Sequence, residues 1–176
     1  MTKKISIVQL YALITAIGIV VFTFILYKSG VHLYLGGIAY LGIAFLLLMA
    51  ILASLAQKKA NGGVIAFQEA LRIAFTVIAI GFAAQTLFNW ILMNFIDTHF
   101  RQEVIGETLR RTEKLLREWQ YPPDRIERDM AEQKASDPYS IRNQTMGFAI
   151  YSIVGFIFAL IIAAIVKTKK TSPAGS

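Results

Sequence analysis

Four long runs of uncharged, mostly apolar residues dominate the pattern of the chain. They cover residues 5–27, 33–57, 73–96 and 143–166. A transmembrane helix needs about 20 apolar residues, and each run is longer than that. We therefore predict an all-α integral membrane protein that forms a single domain over residues 1–176. Its four transmembrane helices are expected at about 5–27, 33–57, 73–96 and 146–166, with a disordered tail at 171–176.

The segment 97–145 is polar, and its pattern predicts two amphipathic helices. The first runs from Phe100 to Trp119 and keeps its apolar residues on one arc when each residue turns the helix by 100°. It ends at Tyr121-Pro122-Pro123, because proline lacks an amide donor and restricts the residue before it. The second starts near Pro123 and ends at Ser136-Asp137-Pro138. The segment is thus predicted to be a helical hairpin outside the cytoplasm, between the third and fourth spans.

The apolar arc of the first hairpin helix is larger than the second helix can cover. The second helix offers only Ile126 and Met130 as apolar partners. The arc is therefore a predicted docking surface for the membrane interface, a second copy of the chain or a different membrane protein. Its residues are Phe100, Val104, Ile105, Leu109, Leu115, Leu116 and Trp119.

Small residues recur in the second and fourth spans. They let helix backbones approach closely where lipid removes the hydrophobic difference between helix and surroundings. We predict that they lie at contacts between spans. These predicted packing residues are Gly36, Gly37, Gly42, Gly147, Gly155, Ala159 and Ala163.

A polar patch interrupts the third span. Gln85 and Asn89 are four residues apart and share a helix face with Thr86 beside them. The patch either bonds neighbouring helices together or lines a path for a substrate. The four uncharged runs contain no ionisable acid or base, which counts against proton or ion coupling.

The distribution of basic residues predicts the orientation. Eight Lys and Arg residues with one acid lie on the side of the two termini, while ten lie among ten acids on the other side. The positive-inside rule therefore places both termini in the cytoplasm. The net charge of +7 suits an anionic inner leaflet, so membrane lipids are expected partners and nucleic acid is not.

Chemistry-bearing residues are few. The chain has no cysteine, and His32 and His99 lack the spacing of a metal motif. Gly62-Gly63 beside basic residues is better explained as an elbow at the membrane surface than as a phosphate-binding loop, because the full motif is missing. Asp97 with His99 is the only semblance of a catalytic pair. We therefore predict no catalytic, cofactor-binding or metal site.

Several of these features together resemble the domain of unknown function 4199 family. The run 61–70 (Asn-Gly-Gly-Val-Ile-Ala-Phe-Gln-Glu-Ala) matches the family's elbow before the third span, and Asn94-Phe95-Ile96-Asp97 matches the end of that span. Thr98 departs from the proline that is common there. The resemblance implies a four-span protein of the bacterial inner membrane and no established activity. It also implies one candidate partner, a membrane-associated glycosyltransferase.

The expected function is that of a non-enzymatic membrane scaffold or accessory subunit. In this hypothesis the chain docks a partner membrane protein or a second copy of itself. The alternative is a small transporter or lipid-handling protein that uses the polar patch at Gln85, Thr86 and Asn89.

Overall fold

The computed structural model describes residues 6–168, and the predicted tail at 171–176 lies outside them. Within the described residues the chain forms seven α-helices, with a short 3-10 turn at Gly37–Ala39 and a π-helical turn at Leu92–Ile96. The helices are α1 (Ile7–Lys28), α2 (Val31–Tyr34), α3 (Tyr40–Ala60), α4 (Phe67–Ile91), α5 (Thr98–Glu118), α6 (Pro123–Ala135) and α7 (Ile141–Val166).

The four predicted spans are confirmed as long apolar helices. Helical segments long and apolar enough to cross a membrane occupy Ile7–Lys28, Gly37–Ala60, Phe67–Ile96 and Ile141–Val166. The third span begins six residues before its predicted start, because the elbow sequence continues as the first turns of α4. Its Glu69 carboxylate accepts a hydrogen bond from the Asn61 side chain at 2.9 Å. The chain is a four-span, all-α membrane protein.

The helix α4 lies at the centre of the bundle and packs against α1, α3 and α7. Much of the core consists of alanines that are completely buried, at positions 50, 53, 70, 74, 159 and 163. Small side chains bring the backbones close together, so dispersion contacts hold the spans. The buried hydroxyls of Thr15, Thr23 and Ser54 donate to carbonyls four residues earlier in their own helices.

Close approach between helices depends on glycine at particular points. A Cβ atom at Gly155 would lie 2.8 Å from Ile78 Cγ2, and one at Gly42 would lie 3.1 Å from Ile19 Cδ1. Ala159 and Ala163 continue the Gly155 contact along α7 and are fully buried.

Three of the predicted packing glycines lie elsewhere. A Cβ at Gly37 or Gly147 would meet no atom within 4 Å, and one at Gly36 would approach the carbonyls of His32 and Leu33 in its own connection. Gly36 lies in the turn after α2, and Gly37 begins the short 3-10 turn that opens the second span. These three glycines are therefore away from contacts between spans.

The elbow before α4 is tied to the end of α7. The Lys58 ammonium donates to the Val166 carbonyl at 2.9 Å, and the Ile65 amide donates to the Thr168 hydroxyl at 3.0 Å. Gly62 and Gly63 have φ values of 73° and 91°, which glycine adopts without strain. The Ile65 amide thus bonds outside any helix, and α4 starts two residues later, at Phe67.

Candidate docking site at the hairpin end of the bundle

The hairpin between the third and fourth spans consists of α5 and α6. Asp97 begins α5, because its Oδ1 accepts from the Phe100 amide at 2.8 Å and so satisfies a free donor of the first turn. Gln120, at φ 57°, turns the chain after α5. Pro123 opens α6, where its missing amide hydrogen costs nothing. We call the end of the bundle that carries these helices the hairpin end.

The Asp97 carboxylate also joins the hairpin to the first span. Its Oδ2 accepts a hydrogen bond from the Tyr27 hydroxyl at 2.9 Å. The pKa of Asp97 is lowered mainly by the hydrogen bond from the Phe100 amide and, to a smaller extent, by the one from the Tyr27 hydroxyl. Asp97 therefore stays ionised at neutral pH and anchors the start of α5.

Arg101 forms a second connection, toward the segment that precedes α7. Its Nη2 lies 2.7 Å from Asp137 Oδ1, and its Nη1 donates to Asn94 Oδ1 at 3.3 Å. Asn94 in turn donates to the Tyr139 carbonyl at 3.1 Å. One guanidinium thus ties together the end of the third span, the start of α5 and the approach to the fourth span.

Arg111 forms the third connection, three turns further along α5. Its Nη1 donates to the Leu35 carbonyl at 2.7 Å, and its Nε donates to Glu107 Oε1 at 2.8 Å. The bond from Arg111 is the main reason that the pKa of Glu107 is lowered. Because Leu35 lies in the connection between α1 and α3, this bond holds the later turns of α5 against that connection.

An aromatic cluster fills the space beneath α5. The ring of Phe100 packs edge-to-face against Tyr27 and Tyr34, at centroid distances of 4.9 and 5.3 Å. Val104, Leu92 and Met93 complete the buried cluster. The structure thus corrects the predicted docking surface, since Phe100 and Val104 are covered by their own chain. The pattern of the segment 97–145 offers only α6 as a cover for the arc, whereas the α1–α3 connection also packs on it.

The other predicted docking residues divide into two groups. Ile105 and Leu109 line a cavity of about 350 Å³ between α5, the end of α6 and Leu35, and Leu116 is half-buried. Leu115 and Trp119 are 47% and 66% exposed, and they lie four residues apart on one face of α5.

Tyr121 is a further exposed aromatic residue at this end of α5, and the predicted docking residues do not include it. Tyr121 is 38% exposed and directly follows the turn that ends α5. In the sequence Tyr121 marks the end of a helix, but an aromatic residue beside a predicted docking surface is also a usable signal for that surface. We call Leu115, Trp119 and Tyr121 the tip patch.

The polar patch of the third span is not a single continuous site. Asn89 Oδ1 accepts from the Tyr34 hydroxyl at 3.1 Å, and burial raises the pKa of Tyr34, so this donor stays protonated. Thr86 lines a cleft between α4 and α7, whereas Gln85 is half-buried. Asn89 therefore bonds the α1–α3 connection to α4.

The two histidines occupy open positions. His32 lines an open groove of about 980 Å³ between α2, α5 and α6, and the side chain of His99 is 85% exposed and lies 3.6 Å from Glu103. Between residues 6 and 168, no group of three or more His, Asp or Glu side chains has an arrangement that holds a metal ion. Asp97 uses its two oxygens to cap α5 and to accept a hydrogen bond from the Tyr27 hydroxyl.

Comparison with protein families assigns the chain. The model described as "Protein of unknown function (DUF4199)" matches residues 10–168, which is nearly the whole described structure. The chain belongs to this family, as its resemblance predicted. Comparisons with curated proteins and with solved structures find no match.

Proposed function

We propose that the protein is a non-enzymatic membrane scaffold or accessory subunit that binds a partner membrane protein through the tip patch. One observation carries this proposal. The hairpin is anchored at Asp97, Arg101 and Arg111, while Leu115 and Trp119 remain exposed beyond the last anchor. An anchored helix loses little freedom on binding, which favours affinity.

The residue types of the tip patch suit a protein partner. Tryptophan and tyrosine are enriched among residues that dominate protein interfaces, where polar groups surround an apolar centre. The basic residues near the patch are paired, with Arg117 Nη2 at 2.7 Å from Glu113 and Lys114 Nζ at 3.8 Å from Glu118. A helix resting on anionic lipid would instead present unpaired basic residues.

Cross-linking tests the proposal directly. A photoreactive residue at position 119 is expected to form a covalent product with a membrane protein in intact cells. The same residue at Arg128, exposed on α6, serves as the matched control. Trp119→Ala combined with Leu115→Ser should remove the product and shift the native complex to a smaller size. Products with lipid alone would refute protein docking, and a product of twice the chain mass would identify a second copy as the partner.

The proposal includes an orientation. An even number of spans puts both ends of the chain on one side, and the basic elbow and ends favour the cytoplasm of a bacterial inner membrane. The hairpin would then face outward, where a membrane-associated glycosyltransferase is one candidate partner.

Single cysteines test this orientation, because the chain has no native cysteine. In intact spheroplasts, a cysteine at Lys114 or Lys134 should react with an impermeant maleimide, and one at Lys59 should react only after lysis. The opposite pattern would place the hairpin in the cytoplasm.

A further inference from the structure

A cleft between α4 and α7 lies beside the hairpin end of the bundle. The two helices pack closely where Gly155 meets Ile78, but nearer the hairpin a gap of about 300 Å³ separates them. Gly147 lies in this part of α7, and a Cβ atom added to it would meet no atom within 4 Å. The lining residues that matter here are Ala83, Thr86, Trp90, Gln144, Thr145 and Phe148.

The position of the cleft determines what surrounds it. All of its lining residues belong to membrane-spanning segments, so lipid tails rather than water reach its opening. Apolar side chains form most of its wall. A cleft with such walls suits an acyl chain from the leaflet on the hairpin side.

The polar groups of the cleft add a preference for the headgroup. Gln144 uses its Nε2 to donate to the Pro138 carbonyl at 3.1 Å, and Thr145 uses its hydroxyl proton to donate to the Ile141 carbonyl at 2.8 Å. Both side chains keep an oxygen that accepts hydrogen bonds. They lie in the first turns of α7, and the end of a membrane span is where lipid headgroups meet the hydrocarbon.

We propose that this cleft binds one glycerophospholipid whose headgroup donates hydrogen bonds, of the phosphatidylethanolamine type. The described residues that line the cleft carry no charge, so the phosphate itself is not the feature selected. An ethanolamine ammonium donates to Gln144 and Thr145, whereas the choline group of phosphatidylcholine has no donor. This inference is independent of partner docking at the tip patch.

Lipid binding to the full chain in mild detergent tests the proposal by native mass spectrometry. Dioleoyl phosphatidylethanolamine and dioleoyl phosphatidylcholine, which share their acyl chains, are added separately. The ethanolamine lipid is expected to bind about tenfold more tightly, and Ala83→Trp should weaken its binding by about tenfold, because the indole occupies the acyl site. Ala149→Trp places the same side chain at an exposed position of α7 and should leave binding unchanged.

A second variant separates recognition of the lipid headgroup from binding of the acyl chain. Gln144→Leu should bring the affinities for the ethanolamine lipid and the choline lipid close together, while both lipids still bind. This variant also keeps the test decisive if Ala83→Trp fails to fold. Equal binding of the two lipids by the unsubstituted protein, or full binding by Ala83→Trp, would overturn the proposal.

Discussion

The bundle core and the hairpin solve the same packing problem with different interactions. In the core, Gly155, Ala159 and Ala163 bring backbones together, and the buried hydroxyls bond only within their own helices. In the hairpin, the guanidinium groups of Arg101 and Arg111 reach carbonyls and carboxylates of other segments. Lipid provides no hydrophobic driving force for helix association, so the packing of complementary helix surfaces stabilises the core. In the hairpin, which lies in water, both apolar burial and polar connections contribute to stability.

This difference teaches where the molecule tolerates change. A close-packed core resists any added volume. The hairpin depends instead on one aromatic cluster and three polar connections, so single substitutions should release it without disturbing the spans.

Removing the central ring of the hairpin cluster should have the largest effect. Phe100→Ala empties the space between Tyr27 and Tyr34 and should cost about 3–5 kcal/mol of the stability of hairpin docking. Hydrogen exchange, followed by mass spectrometry, should become faster along α5 and remain slow in α4. Unchanged exchange in α5 would show that the polar connections alone hold the hairpin.

Adding volume to the core should have the next largest effect. Gly155→Leu forces the helices apart at Ile78 and Phe82, and we expect a loss of about 1–3 kcal/mol in the stability of the bundle. Gly147→Leu is the matched control, because its Cβ meets nothing within 4 Å. Thermal unfolding in detergent should show a lower midpoint for Gly155→Leu only, and equal midpoints would argue against a close contact there.

Acid should loosen the hairpin by a smaller amount. The folded pKa of Asp97 is lowered, so its stabilisation is present above the unfolded pKa of about 4 and is lost as the pH falls through the folded pKa. The lowered pKa of Glu107 acts in the same direction. The spans carry few charges and should not respond.

Spin labels can measure this acid response. With labels at Lys114 and Tyr40, the distance distribution at pH 3 should be broader than at pH 7. Asp97→Asn should reduce the broadening, because asparagine still caps α5 but does not titrate in this range. Identical distributions at the two pH values would contradict a role for these carboxylates.

The sequence predicts the spans well because their signal is local. Uncharged length alone identifies each membrane helix, and the Tyr121-Pro122-Pro123 stop correctly separates α5 from α6. The hairpin contacts are different, since Phe100 meets Tyr27 and Tyr34 across more than 60 positions of the chain. No periodicity within one segment reveals such partners.

The same limit explains why the sequence identifies only some of the glycines that lie at contacts between spans. Gly81 of α4 is buried against Leu46 and Thr15, yet it is the single glycine in the run 73–96, so no recurrence of small residues marks it as a contact. Gly36 and Gly37 are among the predicted packing residues, because glycine content alone does not distinguish a turn from a contact between helices. The direction of a glycine within the bundle depends on helix rotation, which a single sequence does not fix.

The smallest change in stability is expected at the tip patch, and it sharpens the contrast with Phe100. Trp119 is 66% exposed, so Trp119→Ala should alter the unfolding midpoint by no more than a surface substitution does, about 0.5 kcal/mol. The same variant should lose most of its association with the partner, because aromatic anchors carry a large share of interface affinity. The two measurements must be made on one preparation, by thermal unfolding in detergent and by native complex size. A lower midpoint with an intact complex would mean that the indole supports the fold rather than a partner, since an exposed ring can affect stability only through contacts within its own chain.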